Sequence, residues 1–208
     1  MLTRTFAIAL LILARGAAAA ECADYSTQLR TMREADEAIR ALWPAEMTAE
    51  DFDNSRTVRM TEAIDRQNTV RLKDLISKCG WPRREDLGSD AVKSAWLIVQ
   101  HADDDIDFQS NILKIMKRSH TKGDADSDKL ALLEDRVAGA HDKPQVYGTQ
   151  FKVVAPCGLE PLPMREPRNV DARRAALGLG PLEDYRKQVA EYALPASCRA
   201  HPDTTPSR

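Results

Sequence analysis

The stretch Ser94-Ala95-Trp96-Leu97-Ile98-Val99-Gln100-His101 decides the fold of this chain. Ala95 to Val99 are apolar without interruption, and a helix that is apolar on every side belongs inside a domain rather than on its surface. The surrounding pattern predicts that this helix runs from about 89 to 117. We therefore predict a mainly α fold, in which a helical bundle packs around this central buried helix.

The second half of the predicted central helix carries a ladder of polar side chains. His101, Asp105 and Gln109 are spaced four residues apart, which would place them along one helical face. His101 is then a candidate general acid or base, because the pKa of histidine lies near neutrality. Asp105 could orient the imidazole ring, and Gln109 could hold a ligand. The alternative is a core histidine that is hydrogen-bonded to a neighbouring helix.

The rest of the chain is also mostly helical in pattern. Apolar residues at helical spacing predict further helices over about 23–42, 51–79, 127–140, 170–177 and 181–192. Residues of about 145–164 are richer in β-branched and aromatic side chains and contain a turn signal at Pro156, which favours a small extended or β-hairpin insert.

The first twenty residues have the layout of a secretory signal peptide: a basic start, a short apolar run and small residues for cleavage. We predict a signal peptide over 1–20, a single helical domain over 21–193 and a flexible C-terminal tail over 194–208. The mature protein would then be periplasmic or secreted. Arg4 and Arg15 leave with the signal, so 30 basic residues become 28 against 32 acidic ones, a net charge of −4. This charge argues against a nucleic-acid partner and against an anionic membrane as partner.

An even number of cysteines in an exported chain favours two disulfides. The four residues are Cys22, Cys79, Cys157 and Cys198. Three pairings are possible. We favour Cys22–Cys79 with Cys157–Cys198, because an antiparallel helix pair brings the start of the first helix to the end of the second. A zinc site would require closely spaced cysteine pairs, and the sequence has none.

Several separated motifs occur together in a fixed order. They include Gly80-Trp81-Pro82, Ala95-Trp96-Leu97-Ile98-Val99-Gln100-His101-Ala102-Asp103, Asp135-Arg136, Tyr147-Gly148-Thr149-Gln150 and Val170-Asp171-x-Arg173-Arg174. In these motifs the chain resembles a family of bacterial domains of unknown function, over roughly residues 23–185. The resemblance implies no activity. It implies that the polar residues inside the motifs are the ones to test, and the cysteines are not part of the family's pattern.

Two carboxylate–guanidinium pairs could contribute to a site beside His101. Asp36 and Arg40 are four residues apart on the first helix, and Asp135 precedes Arg136. If both helices face the central one, Asp36 would be an orienting or second carboxylate. The candidate ligand contacts would then be Arg40, Gln109, Arg136, Tyr147 and Gln150. Buried ion pairs that connect helices are the alternative, because the planar fork of arginine suits both purposes.

Neither a metal nor a cofactor is predicted. His101 and Asp105 could supply two metal ligands with Asp36 or His141 as a third, but no ligand-rich motif such as H-E-x-x-H occurs. The acidic run from Asp124 imitates part of a calcium loop, yet Lys129 occupies the position that needs glycine. We interpret that run as an acidic linker followed by a helix.

Two functions from different classes fit these observations. The first is an exported module that binds a polar ligand in a pocket around His101, with a small polar molecule or an envelope component as partner. The alternative is an exported hydrolase that uses His101 as general acid/base on a cell-envelope or extracellular substrate. Neither a Gly-x-Ser-x-Gly elbow nor a nucleotide-binding loop is present, and disulfide-bonded cysteines supply no nucleophile.

Overall fold

The computed structural model of the protein describes residues 22–43, 55–121, 125–154, 157–194 and 196–199. The predicted signal peptide and residues 200–208 of the predicted tail lie outside these ranges. The described residues form two compact units, one up to Asp104 and one from Asp105 onward. Both units are mainly helical, which confirms the predicted fold class. The prediction that they act as a single domain stays a prediction.

The first unit contains three helices: α1 (Tyr25–Arg40), α2 (Arg56–Cys79) and α3 (Arg84–Gln100). Helix α1 packs against both of the others. Its buried side chains recur every three or four residues, as expected for a helix with one buried face. They are Tyr25, Leu29, Met32, Asp36 and Ile39. A carboxylate therefore stands within an otherwise apolar buried stripe.

Helix α2 contributes a buried face that is partly polar. Ser55 caps its first turn by accepting a hydrogen bond from the Val58 amide, and Gly80 ends the helix at a positive φ of 79°. Thr61, Asn68 and Thr69 are buried along this face. The Asn68 side chain donates to the Met32 carbonyl at 3.1 Å, so part of the contact between α1 and α2 is a hydrogen bond rather than apolar packing.

Helix α3 is kinked at Gly88, which has a φ of 80°, and its regular part begins at Ser89 as the sequence predicts. Ala95, Ile98 and Val99 are buried in the core of the first unit.

The prediction of one continuous helix over about 89–117 is wrong. Helix α3 ends at Gln100, and a new helix, α4 (Ile106–His120), begins after a non-helical turn. The turn contains three consecutive aspartates, whose side chains compete for backbone amides and whose charge is unfavourable at the negative end of a helix. Asp105 caps α4 instead, since its carboxylate accepts a hydrogen bond from the Phe108 amide at 3.0 Å.

The second unit begins with α4 and α5 (Ser127–Ala140), which pack against each other. A small antiparallel hairpin follows, with β1 (Phe151–Val154) paired to β2 (Gly158–Pro161). This confirms the predicted insert. The described chain then forms a 3₁₀ turn (Pro167–Asn169) and the helices α6 (Val170–Ala176), α7 (Leu182–Ala193) and α8 (Ala196–Arg199).

Each unit contains one disulfide. Cys22 is bonded to Cys79 in the first unit, and Cys157 is bonded to Cys198 in the second, which confirms the favoured pairing. Cys198 is buried on α8, which lies within the stretch predicted as a C-terminal tail, and the boundary of that tail stays a prediction. Within the described residues, every helix is too short or too polar to cross a bilayer.

Candidate functional site

The candidate site in the first unit is built around Asp36. This residue is only 1% exposed, on the buried stripe of α1. One of its oxygens, Oδ1, accepts two hydrogen bonds: one from Arg40 Nη1 at 2.7 Å and one from His101 Nδ1 at 2.7 Å. The first partner comes from the next turn of α1 and the second from the end of α3. Because the donors are a guanidinium and an imidazole, Asp36 is the ionised acceptor of both.

The His101 ring is fixed in orientation and partly open to solvent. The residue follows the last turn of α3, and its side chain is 21% exposed. Since the Asp36 carboxylate can only accept, the Nδ1 atom carries the proton and Nε2 of the neutral ring has a free lone pair. No group among the described residues forms a hydrogen bond to Nε2. The arrangement suits an imidazole that takes up a proton at Nε2.

Arg40 connects Asp36 to a second carboxylate, Asp65 on α2. Its two terminal nitrogens donate to the two oxygens of Asp65 at 3.1 and 2.9 Å, while Nη1 also donates to Asp36. Burial raises the pKa of Asp65, and the hydrogen bond and charge of Arg40 act in the opposite direction. Asp36, Arg40, Asp65 and His101 together form a cluster that we call the dyad site, after its His101–Asp36 pair.

Asp65 was missed in the sequence-based prediction. The early turns of its helix have few apolar residues, so the apolar pattern does not mark a buried face there. In fact polar residues recur there at helical spacing, with Thr61 and Thr69 one turn on either side of Asp65, and both are buried. Polar residues four apart that include a carboxylate are a signal that could have identified this face.

The same residues have the right types for a metal site, but their charges argue against one. Ligand atoms of Asp36, Asp65 and His101 lie within 4.8 Å of one another. However, Arg40 donates to both carboxylates and places a positive charge where a cation would sit. The proton on Nδ1 also occupies the nitrogen that faces Asp36. The donor set in this arrangement therefore does not fit a bound metal.

Other predicted site residues belong to the second unit. Asp105 does not extend a helical ladder from His101, because the helix is interrupted between them and the Asp105 side chain caps α4. Its predicted role in orienting the ring stays a prediction. Gln109 is buried on α4. Arg136 lies half-buried on α5, and Tyr147 and Gln150 lie in the loop between α5 and the hairpin. Their participation in a site with His101 stays a prediction.

That loop is held by Asp135, which is 0% exposed on α5. Its two oxygens accept hydrogen bonds from the backbone amides of Val146, Tyr147 and Thr149 at 2.6 to 3.2 Å, and from the Thr149 hydroxyl at 3.0 Å. A buried carboxylate that accepts several amide hydrogen bonds fixes the path of the backbone.

Two arginines of α6 hold the carbonyl side of the same loop. Arg173 Nε donates to the Val146 carbonyl at 2.8 Å, and Arg174 Nη1 donates to the Tyr147 carbonyl at 2.9 Å. Arg174 is 4% exposed and its guanidinium lies 5.1 Å from the centre of the Tyr185 ring. Burial lowers the pKa of Arg174. The Asp135 and Arg173-Arg174 motifs therefore act in the described structure as supports of the loop.

Tyr147 and Gln150 keep side chains that are partly exposed. Burial, together with the charges of Glu134 and Asp135, raises the pKa of the Tyr147 phenol, so it is a neutral hydroxyl at physiological pH. Gln150 donates its side-chain amide to the Thr149 hydroxyl at 3.1 Å. The predicted calcium-like run is not a loop of that kind: Lys129 forms ion pairs with Asp126 and Asp128, while Asp124 lies outside the described residues.

Comparison of the chain with curated proteins and with solved structures finds no match in either. A family profile does match, over residues 23–195, which is most of the chain. The resemblance predicted from the motifs is therefore confirmed at the level of a family without an assigned activity. The chain belongs to the family of unknown function DUF6624.

Proposed function

We propose that the protein is an exported hydrolase in which His101 is the general acid/base and Asp36 orients it. The observation that carries the proposal is the 2.7 Å hydrogen bond from His101 Nδ1 to a carboxylate that is almost fully buried. A carboxylate in this position selects the tautomer whose Nε2 accepts a proton and stabilises the imidazolium that results. A site that only binds a ligand needs no such selection.

The proposed reaction uses water as the nucleophile. Nε2 removes a proton from a water molecule, and the resulting hydroxide adds to an electrophilic carbon of the substrate. The bond from that carbon to the leaving group then breaks, the leaving group takes the electron pair, and the imidazolium gives it the proton. A cysteine nucleophile is excluded, because all four cysteines are disulfide-bonded. General acid–base catalysis of this kind contributes about 10²–10⁴-fold to a rate.

An oxidising compartment suits the proposal. The two disulfides persist outside the reducing cytosol, and the predicted signal peptide directs the chain there. We therefore propose a periplasmic or secreted location and a polar substrate from the cell envelope or the extracellular medium. We also propose, from the net charge, that neither nucleic acid nor a membrane is a partner of the mature protein.

The first experiment determines the state of the His101 ring. Long-range ¹⁵N NMR of the oxidised protein at pH 8 distinguishes the two tautomers, and we expect the proton on Nδ1. Diethyl pyrocarbonate, which acylates an accessible unprotonated ring nitrogen, should modify His101 at Nε2. His141→Gln, which removes an exposed histidine hydrogen-bonded to Ser110, is the matched control and should leave the His101 signals unchanged. A ring protonated on Nε2, or one that the reagent cannot reach, would rule the proposal out.

The second experiment separates turnover from binding. A panel of ester, amide and glycoside probes is screened for hydrolysis and, by thermal shift, for binding, since a ligand that binds the folded state raises the Tm. His101→Ala should reduce hydrolysis of an active probe at least a hundredfold while the shift that the probe causes persists. If probes bind and none is turned over, the protein is a binding module instead.

A further inference from the structure

We infer that Asp65 is a positioning residue that sets the basicity of His101 through Arg40 and Asp36. The inference rests on the proposed function, because it concerns how the same imidazole is tuned. It starts from the shared oxygen of the dyad site: Asp36 Oδ1 accepts hydrogen bonds from His101 and from Arg40. A guanidinium on the oxygen that supports the imidazole competes with the imidazolium for the same negative charge.

Asp65 offsets that competition. Its two oxygens accept from both terminal nitrogens of Arg40 in a forked pair, so much of the guanidinium charge is neutralised by Asp65 rather than by Asp36. Without Asp65, Asp36 would have to balance Arg40 alone and would stabilise the imidazolium less. A carboxylate oxygen of Asp65 and a ring nitrogen of His101 also lie within 4.8 Å of each other, which is close enough for their charges to interact.

Other charged groups on the elements around the dyad site have partners of their own. On α1, Arg33 pairs with Glu37 and with Asp90. On α2, Arg66 pairs with Glu62 and with Asp104, whose side chain is 73% exposed. The turn after His101 adds Asp103, which is exposed, and Asp105, which caps α4. Because solvent screens exposed charges, these groups interact with His101 more weakly than the members of the dyad site do.

The test is an NMR titration of the His101 ring in the full oxidised protein, which needs no substrate. Asp65→Asn should lower the His101 pKa by about one unit, since removal of a negative charge destabilises the imidazolium. Arg40→Gln should raise the pKa by a similar amount. Asp65→Glu should restore a value near that of the wild type. Asp104→Asn, the exposed control, should shift the pKa by less than about 0.3 units.

A merely structural ion pair would not shift the His101 pKa in opposite directions in Asp65→Asn and Arg40→Gln. If Arg40→Gln fails to fold, Arg40→Lys replaces it: the charge stays but the fork is lost, so the pKa should move by less than half a unit. An unchanged or raised His101 pKa in Asp65→Asn overturns the inference. If the pKa values shift as expected and no probe is turned over, the tuning stands while the hydrolase proposal fails. If His101→Ala abolishes turnover and Asp65→Asn leaves the pKa unchanged, only the tuning is wrong.

Discussion

Two buried aspartates, one in each unit, are stabilised in opposite ways. Asp36 is 1% exposed and Asp135 is 0% exposed, so burial alone does not distinguish them. The hydrogen-bond partners of Asp36 are ionisable side chains, Arg40 and His101. The partners of Asp135 are three backbone amides and a hydroxyl, and none of these groups changes its charge near neutral pH. A carboxylate hydrogen-bonded to an imidazole can support proton transfer by that ring, whereas one bonded to amides holds the backbone.

The comparison also shows why the two motifs with Asp and Arg differ in role. Arg40 lies one turn from Asp36 on the same helix. Within this unit Arg40 donates to Asp65 on α2, and Asp36 accepts from His101 at the end of α3. The arginines that support the Asp135 loop come instead from α6, where they donate to carbonyls. The carboxylate thus holds the amides of the loop and the arginines hold its carbonyls.

The largest expected effect is that of Asp135→Ala. Three backbone amides would lose a charged acceptor in a buried setting, and we expect the free energy of unfolding to fall by about 5 kcal/mol. Urea denaturation measures the loss, and hydrogen exchange should rise at the amides of Val146, Tyr147 and Thr149. Asp128→Ala, an exposed residue of the same helix, is the control and should change stability by less than about 0.5 kcal/mol. A small loss in Asp135→Ala would mean that the loop does not depend on the carboxylate.

The disulfides provide the second prediction, because each unit has its own. They close loops of 57 and 41 residues, for which the chain-entropy estimate is about 4 kcal/mol each. Replacing either cysteine pair by serine should therefore lower stability by similar amounts, measured by urea denaturation of each double variant. A much smaller loss for the Cys22–Cys79 pair would indicate that the dyad site holds α1 and α2 together without it.

Asp36→Asn should cost less stability than Asp135→Ala and should instead affect the His101 ring. We expect a smaller loss of about 2–3 kcal/mol, because Arg40 retains Asp65 as a partner and His101 is partly exposed. The His101 pKa should fall, since the carboxylate no longer stabilises the imidazolium. Denaturation and the NMR titration measure the two effects. If Asp36→Asn costs as much stability as Asp135→Ala and leaves the imidazole unchanged, Asp36 is a structural residue like Asp135.

Sequence reasoning proposed Asp36, Arg40 and His101 because each has a local signal, and the structure joins them by hydrogen bonds. Asp36 and Arg40 are one helical turn apart, and His101 ends an apolar run. The extension to Asp105 failed because the capping tendency of aspartate outweighed the helical pattern around it. The role of Asp135 could not be predicted, since its partners are backbone amides eleven to fourteen residues away and amides have no sequence signature.

The two disulfide pairings and the small hairpin were predictable for physical reasons as well. An antiparallel helix pair brings Cys22 and Cys79 together, and alternation with turn residues marks the hairpin. Asp65 was not predictable in the same way, because its importance comes from a shared partner, Arg40, on another helix. Polar contacts across a helix interface depend on the rotation of both helices, which periodicity alone does not fix.

The smallest expected effect is a pH dependence of the folding stability that is caused by Asp65. It tests whether Asp65 is a desolvated carboxylate of the dyad site. Burial raises the pKa of Asp65 in the folded state above its ordinary value of 3.8, so the folded protein binds this proton more tightly than the unfolded chain. The contribution to stability is then fully present below 3.8 and is lost as the pH rises through the folded pKa. The stability of the wild type relative to Asp65→Asn should therefore decrease with rising pH across that window and then become constant.

Asp74 provides the control of opposite sign. A hydrogen bond from Lys78 lowers its pKa, and the charges of Lys78 and Arg71 act in the same direction. Its contribution is present above 3.8 and is lost as the pH falls through the folded pKa, so the stability of the wild type relative to Asp74→Asn should increase with rising pH. Urea denaturation of the three proteins at a series of pH values from 3 to 7 measures both slopes. Equal slopes for Asp65→Asn and Asp74→Asn would show that Asp65 behaves as an ordinary surface carboxylate, and the dyad site would then lack the desolvated second carboxylate on which its tuning depends.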